Sequence, residues 1–386
     1  MFSHRTEWNL ASNRFTEAQN EARQSGAKLL DLTISNPTHA GFTCDQATIL
    51  GALNRPESLQ YDPQPKGLLV AREAVAEYYR ERGESVDPES LILTTSTSEG
   101  YSYLFRLLCN PGDEVLVPKP SYPLFDFLAD LDDVKLTPYL LLYDHGWHVD
   151  LPCLRNAVTE RSRAIVVVDP NNPTGSYASA AEREALNKFC AEHNLALIVD
   201  EVFLDYSHDG QRRPSFAGNR EALTFVLSGL SKISGLPQMK LAWIAASGQD
   251  AEPALARLEV IADTYLSVNA PIQHAANPLL EQRKTLQTML LQRVWENLNE
   301  LDTQLAAQKA CSRLDVQGGW CVIIRVPVVQ SDEDLAIDLL RDARVLVHPG
   351  HFYDFPREGY LVVSLITPVD NFREGVQRLL ALCNSR

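Results

Sequence analysis

The stretch Leu227-Ser228-Gly229-Leu230-Ser231-Lys232-Ile233-Ser234-Gly235-Leu236-Pro237-Gln238-Met239-Lys240 decides how the rest of this chain is read. The apolar run 224–227 leads into it and a second run, 241–246, follows. Strand, polar loop, strand is the pattern, with Lys232 on the loop where the first strand ends. Serines and glycines on either side let a ligand approach the backbone. A lysine held against apolar strands loses solvation, so its pKa falls and the free amine is able to form a Schiff base with a carbonyl. A lone loop lysine is otherwise a solvated side chain, because lysines mostly stay exposed. Its company elsewhere in the sequence separates the two readings.

Working outward, strands and helices alternate. Residues 164–169 are apolar and end in Pro170-Asn171-Asn172-Pro173, and residues 195–200 are apolar and end at Asp200. Strands so continuously apolar are buried on both faces, which predicts an α/β fold with a mostly parallel sheet covered by helices. Ligands on such sheets bind at the carboxyl ends of strands, where Asn172, Asp200 and Lys232 all fall. Upstream, the strand 91–95, the turn Ser96-Thr97-Ser98 and a helix over 99–108 form one unit. A helix opening on hydroxyl residues offers free N–H groups and a positive dipole end to a phosphate, and serves equally well as an ordinary N-cap. Helices are also predicted over 8–26, 68–82, 124–131 and 180–193. Apolar periodicity from 271 to 305 predicts one helix long enough to bridge two lobes. After it, strands at 320–326, 345–347 and 360–365 with helices at 332–341 and 371–382 make a smaller α+β lobe. The expected division is an N-terminal segment, 1–45, joining the small domain, a large domain, 46–280, and a small C-terminal domain, 281–386.

Composition narrows the function classes. The 386 residues carry a net charge of −15, which disfavours nucleic acid and anionic membrane as partners. Seven cysteines are scattered without a C-x-x-C pair, so neither a disulfide framework nor a zinc site is expected, and a reducing cytoplasm is. The first residues lack the apolar core of a signal peptide. No G-x-G-x-x-G fingerprint suggests a nicotinamide cofactor.

With Tyr122, Asn172, Asp200, Lys232 and Lys240 in this order and spacing, the chain from Leu30 to Leu382 resembles the fold-type-I pyridoxal-phosphate enzymes of the class I/II aminotransferase family. The resemblance implies a seven-stranded-type sheet in the large domain and pyridoxal 5'-phosphate as cofactor. It also implies an exchange of an amino group between an amino acid and a 2-oxo acid. In that reading Lys232 holds the cofactor as a Schiff base and then moves a proton as base and acid. Asp200 keeps the pyridine nitrogen protonated, Tyr122 stacks on the ring and Asn172 donates to its phenolate oxygen. Ser96, Thr97, Ser98, Ser231 and Lys240 surround the phosphate. Ser35, Asn36, Asn172 and Arg357 face the substrate. Tyr61 reaches the phosphate of a neighbouring subunit, which implies a homodimer. Aromatic residues Phe42, Tyr61, Phe203 and Phe352 wall the pocket and point to a small neutral or apolar amino acid. The loop His348-Pro349-Gly350-His351-Phe352 closes over it, its histidines more typical of structural hydrogen bonds than of catalysis.

Three departures from the family pattern stand out. Lys240 replaces an arginine, a point charge in place of a bidentate fork, and Gly229 stands where a serine is usual. Phe203 replaces a tyrosine that donates to the phenolate oxygen. Val362 occupies the place of the arginine that clamps the substrate carboxylate, which opens a second reading as a decarboxylase or other lyase. A cofactor-binding regulator is a third, disfavoured by the acidic charge and by the roughly 28 residues that precede the first strand. From the second departure, Phe203→Tyr is expected to lower the pH midpoint of the cofactor's visible absorption transition. A spectral titration in which the midpoint does not move refutes this.

Overall fold

The structure, a computed structural model, describes residues 2–26, 28–123 and 125–385. Leu124, expected to open a helix, lies outside them, and the helix there runs Phe125–Leu131. A short first strand β1 (Leu30–Asp31) is followed by the eight strands of one large sheet. These are β2 (Leu91–Thr94), β3 (Glu114–Lys119), β4 (Lys135–Tyr143), β5 (Trp147–Val149), β6 (Ser162–Val168), β7 (Ala196–Asp200), β8 (Thr224–Gly229) and β9 (Ala242–Ser247). Their order is β2-β9-β8-β7-β6-β3-β4-β5. The run from β8 to β4 is parallel; β9 is antiparallel to both its neighbours, and β5 returns antiparallel on β4. The seven-stranded expectation thus gains one strand, the three-residue β5 that returns on β4.

Alternation across the pleat explains the apolar strands. In β7, Leu197 and Val199 face one core with Trp243 and Tyr79, while Ala196 and Ile198 face another with Tyr101 and Phe225. Both faces are covered, so nearly every residue of β2, β7 and β8 is buried. Two hydrogen bonds anchor large rings in this layer: Trp243 Nε1 donates to Tyr79 at 3.0 Å, and Tyr139 donates to the Val166 carbonyl at 2.8 Å.

A third core belongs to the C-terminal strands β10 (Ser312–Arg313), β11 (Cys321–Arg325), β12 (Val345–Leu346), β13 (His348–Pro349) and β14 (Tyr360–Ser364). Four of them form an antiparallel sheet ordered β10-β11-β14-β13, while β12 pairs in parallel with β1. Phe15, Ala18, Leu30 and Leu32 of the N-terminal segment pack into the same core as Leu290, Val345 and Phe372. Two expected helices are corrected. The first helix starts at Arg14, because Asn13 caps it by accepting from Thr16 N, and Trp8 instead donates to Asp130. The long bridge is three helices, Ala270–His274, Ala276–Glu281 and Arg283–Ala306. Pro278 has no N–H for the His274 carbonyl, so the first of these ends there.

Gly235 positions the lysine turn between these layers. Its φ is +58°, and a Cβ on it would collide with Leu286 Cδ2 while lying 3.4 Å from Pro37 Cγ. Gly235→Ala is therefore expected to destabilise the protein by about 1–3 kcal/mol, read as a lower denaturant midpoint. An unchanged midpoint refutes the packing argument.

Candidate active site

Strand β8 ends at Gly229 and turns at once into a one-turn helix, Leu230–Ile233, so Lys232 stands just past the carboxyl edge of the sheet on a helical turn rather than an open loop. Gly229 is dictated by crowding. A Cβ there would lie 2.8 Å from Ala242 Cβ and 2.9 Å from the Leu241 carbonyl oxygen, which leaves no room for a serine. The Tyr206 hydroxyl donates to the Lys232 carbonyl at 2.6 Å and fixes the turn. Lys232 Nζ lies 5.0 Å from the centroid of Trp320 and 5.4 Å from that of Phe203, with the Ser35 carbonyl oxygen 3.5 Å away. Burial lowers its pKa, against the opposing pull of Cys321 and Asp200. The shift is in the direction that attack on a carbonyl requires, since the neutral amine is the nucleophile.

Asp200 closes β7 on the same edge. Its carboxylate accepts from Tyr101 OH at 3.2 Å and from Val202 N at 3.1 Å. Burial outweighs those bonds and pushes its pKa up to about 6. Both groups open into one cavity of about 270 Å³. Of the residues singled out in the sequence, Ser35, Thr97, Tyr122, Asn172, Phe203 and Ser231 join Lys232 and Asp200 in its lining. Ser96, Ser98, Asn36, Tyr61, Lys240 and Arg357 do not line it. Ser96 caps the helix Thr97–Leu108, accepting from Glu99 N at 3.1 Å, and Asn36 accepts from Thr38 in a turn. Lys240 and Arg357 are exposed, and Tyr61 is 84% exposed.

Sequence reasoning missed several lining residues. Tyr101 was legible only as part of a helix's apolar face, yet its hydroxyl is a partner of Asp200. Trp320, Cys321, Tyr353 and Ser364 come from the small lobe, where no local motif marks them. His348 stands in the same wall, its Nδ1 3.0 Å from the Tyr353 hydroxyl. Val362 also lines the cavity and presents only methyl groups.

These residues fit pyridoxal phosphate. A buried carboxylate with two neutral donors and no bonded cation suits a protonated ring nitrogen. A desolvated amine suits its aldehyde. Thr97 at the start of a twelve-residue helix and Ser231 suit its phosphate. Among the described residues no group of acidic, histidine or cysteine side chains is arranged to hold a metal ion.

Residues 27–379 match the family profile described as Aminotransferase class I and II. Glutamate-pyruvate aminotransferase AlaA of Haemophilus influenzae is 27% identical over 366 residues, covering 92% of this chain and 91% of its own. LL-diaminopimelate aminotransferase of Moorella thermoacetica is 27% identical over 370 residues, with 93% and 92% covered. Among solved structures, an aminotransferase from Escherichia coli superposes with a TM-score of 0.88 at 26% identity, covering 100% of this chain and 98% of that one. Alanine aminotransferase from Pyrococcus furiosus gives a TM-score of 0.90 at 23% identity over the full length of both, a likeness of fold. These relatives are aminotransferases by name and lend no support to the decarboxylase or lyase reading that Val362 opened.

Burial of Asp200 has a consequence for the cofactor-free protein. Its pKa is about 6 when folded against an ordinary 3.8, so its folding contribution is most favourable below about pH 4 and is lost as pH rises through 6. Asp200→Asn removes that penalty. The variant is expected to gain on the order of 2 kcal/mol over wild type at about pH 8 and nothing below about pH 4. Denaturant melts that show the same difference at both values sink this account.

Proposed function

We propose, since this chain belongs to the class I and II aminotransferases and its cofactor is pyridoxal phosphate, that it moves an amino group between a small neutral or apolar amino acid and a 2-oxo acid. The observation that carries the substrate reading is the cavity itself. Lys232 and Asp200 open into about 270 Å³ walled by Phe125, Phe203, Trp320, Val202 and Val362, a space of rings and aliphatic groups. Relatives named for alanine and for pyruvate, its 2-oxo acid, lean the same way.

When bound, pyridoxal phosphate supplies an aldehyde and an electron-accepting ring that lets the α C–H bond of an amino acid ionise. Lys232 Nζ would hold the cofactor through its aldehyde and, when free, would serve as the base for the substrate α-proton and the acid that gives it back, which its lowered pKa favours. Asp200 would keep the pyridine nitrogen protonated, with the Tyr101 hydroxyl steadying the carboxylate. Tyr122 and Asn172 line the same cavity, where Tyr122 would cover the ring and Asn172 would donate to its oxygen. Phe203 contributes packing only. Thr97, with Ser96 and Ser98 beside it, and Ser231 take the phosphate, while Lys240 adds a solvent-screened charge without a bidentate bond. Ser35 borders the substrate space, while Asn36 and Arg357 stay outside the lining.

The working unit in this reading is a homodimer in which Tyr61 completes the partner's phosphate site. Its support is a surface that exposes Leu59, Tyr61, Leu69 and Val70. The division into 1–45 with 281–386 and 46–280 follows the separate hydrophobic cores, although Phe203 and Tyr206 also enter the core of the small lobe. No helix among the described residues is long and apolar enough to cross a membrane. We place the protein in the cytoplasm on its scattered cysteines.

Mixing holoenzyme with L-alanine is expected to convert the cofactor's visible absorption and form an equivalent of pyruvate. Lys232→Ala should slow that conversion by about 10²–10⁴-fold. Carbon dioxide or ammonia released without a 2-oxo acid and without cofactor conversion overturns the proposal.

A further inference from the structure

A carboxylate entering this cavity gives up part of its hydration and needs a charge-assisted partner in exchange. Among the described lining residues only two side chains are able to become cationic, Lys232 and His348. Lys232 is committed to the cofactor. The other basic groups nearby are spent or remote: Arg293 stacks on Phe42 at 4.9 Å with the Ala40 and Ile366 carbonyls at 3.4 Å, and Lys240 and Arg357 are exposed outside the lining.

His348 is directly opposite Val362 in the antiparallel pair β13–β14. Cross-strand partners share a face of the sheet with Cβ atoms about 5 Å apart, so the imidazole covers the floor that Val362 leaves without a donor. The Tyr353 hydroxyl lies 3.0 Å from His348 Nδ1, and no protein partner takes Nε2 among the described residues. The Tyr353 carbonyl in turn accepts from Ser121 N at 3.0 Å, which ties this corner to the large lobe.

We infer that His348, backed by Tyr353, binds the carboxylate of the amino-acid substrate through Nε2, in place of an arginine. The inference rests on the aminotransferase reading above and names the residue that reads the acid group. With the Tyr353 O–H donating to Nδ1, the neutral ring presents Nε2–H to the cavity. An arriving carboxylate favours the imidazolium, which draws one proton from solvent, and Nδ1–H then donates back to the Tyr353 oxygen.

Charges around the ring set the pH response. Burial holds the pKa of His348 below its ordinary value, and Asp31 opposes that shift. Burial keeps the thiol of Cys321, pushed up to about 12, and the hydroxyl of Tyr353 un-ionised near neutrality. Asp332, on the helix packed against β13, is engaged by Gly359 N and Tyr360 N and accompanied by Glu358. Lys232 faces the same cavity. The empty site therefore holds a neutral histidine that is charged by the substrate it receives, and the preference for a carboxylate fades as pH rises.

The test compares 2-methylalanine, which lacks an α-hydrogen, with isopropylamine, the same molecule without its carboxylate. Both are titrated into holoenzyme and read by the cofactor's visible absorbance. Wild type is expected to prefer 2-methylalanine by about tenfold or more, with the ratio falling between about pH 6 and about pH 9. Taking the ratio cancels the titration of the two similar amines. His348→Ala should abolish the preference while leaving isopropylamine affinity unchanged, and His348→Gln, which keeps a neutral donor, should retain part of it without the pH dependence. A preference that survives in both variants, or that is absent in wild type, overturns the inference while amino transfer from alanine stands. A holoenzyme that answers to no amine overturns the functional reading and this inference together.

Discussion

Two desolvated groups of opposite kind, the Lys232 amine and the Asp200 carboxylate, are the constraint on which this molecule turns. Among the described residues neither has a bonded counter-charge. Burial drives the lysine pKa down and the aspartate pKa up to about 6, so each charged form is held at a cost in folding free energy. In the function proposed above, a cofactor with an aldehyde at one side and a basic ring nitrogen at another relieves both penalties at once. The polypeptide is built as the incomplete half of an electrostatic arrangement, which is why the site's chemistry is legible without its cofactor in view.

The scaffold tolerates this because the cost falls at the edge of a rigid sheet. Strands β7 and β8 are parallel neighbours in register from Leu197 with Thr224 to Asp200 with Leu227, so their carboxyl ends deliver Asp200 and the Lys232 turn side by side. Packing on both faces of the sheet holds these strand ends in place while both side chains line the cavity. The neighbouring Glu201 shows the same logic turned inward. Its carboxylate accepts from Ser215 and from Phe216 N, both at 2.6 Å, and its pKa still rises to about 7 through burial. Consecutive residues of one strand end thus serve opposite purposes, Asp200 facing the cavity and Glu201 tying down the loop at 215–216.

The small lobe contributes what the large lobe lacks. Cys321 opens β11 with Trp320 just before it, and His348, Val362 and Ser364 lie on β13 and β14, so one antiparallel sheet supplies most of a wall. Among the described residues that wall contains no arginine, and His348, bonded to Tyr353, is its one basic side chain. Its residues are far apart in the chain and become neighbours only through strand pairing, with His348 opposite Val362 and Val362 opposite Ile323.

From the chain alone, the parallel sheet was evident in runs such as 195–200, because burial on both faces demands unbroken apolar residues. Lys232, Asp200, Asn172 and the hydroxyl cluster at 96–98 were evident because strand ends and helix starts have local signatures. The antiparallel hairpin β4–β5 escaped because Pro138 interrupts β4 and β5 is only three residues long. The break at Ala275, set by Pro278 three residues on, was masked by periodicity that continued across it. Which of the candidate groups share one cavity was decided only by the tertiary structure. Tyr101 meets Asp200 across 99 positions, whereas Lys240, eight positions from Lys232, points to solvent. Local sequence dictates which bonds the backbone makes with its near neighbours. Desolvation depends on everything packed around a side chain, and most of that is distant in the chain.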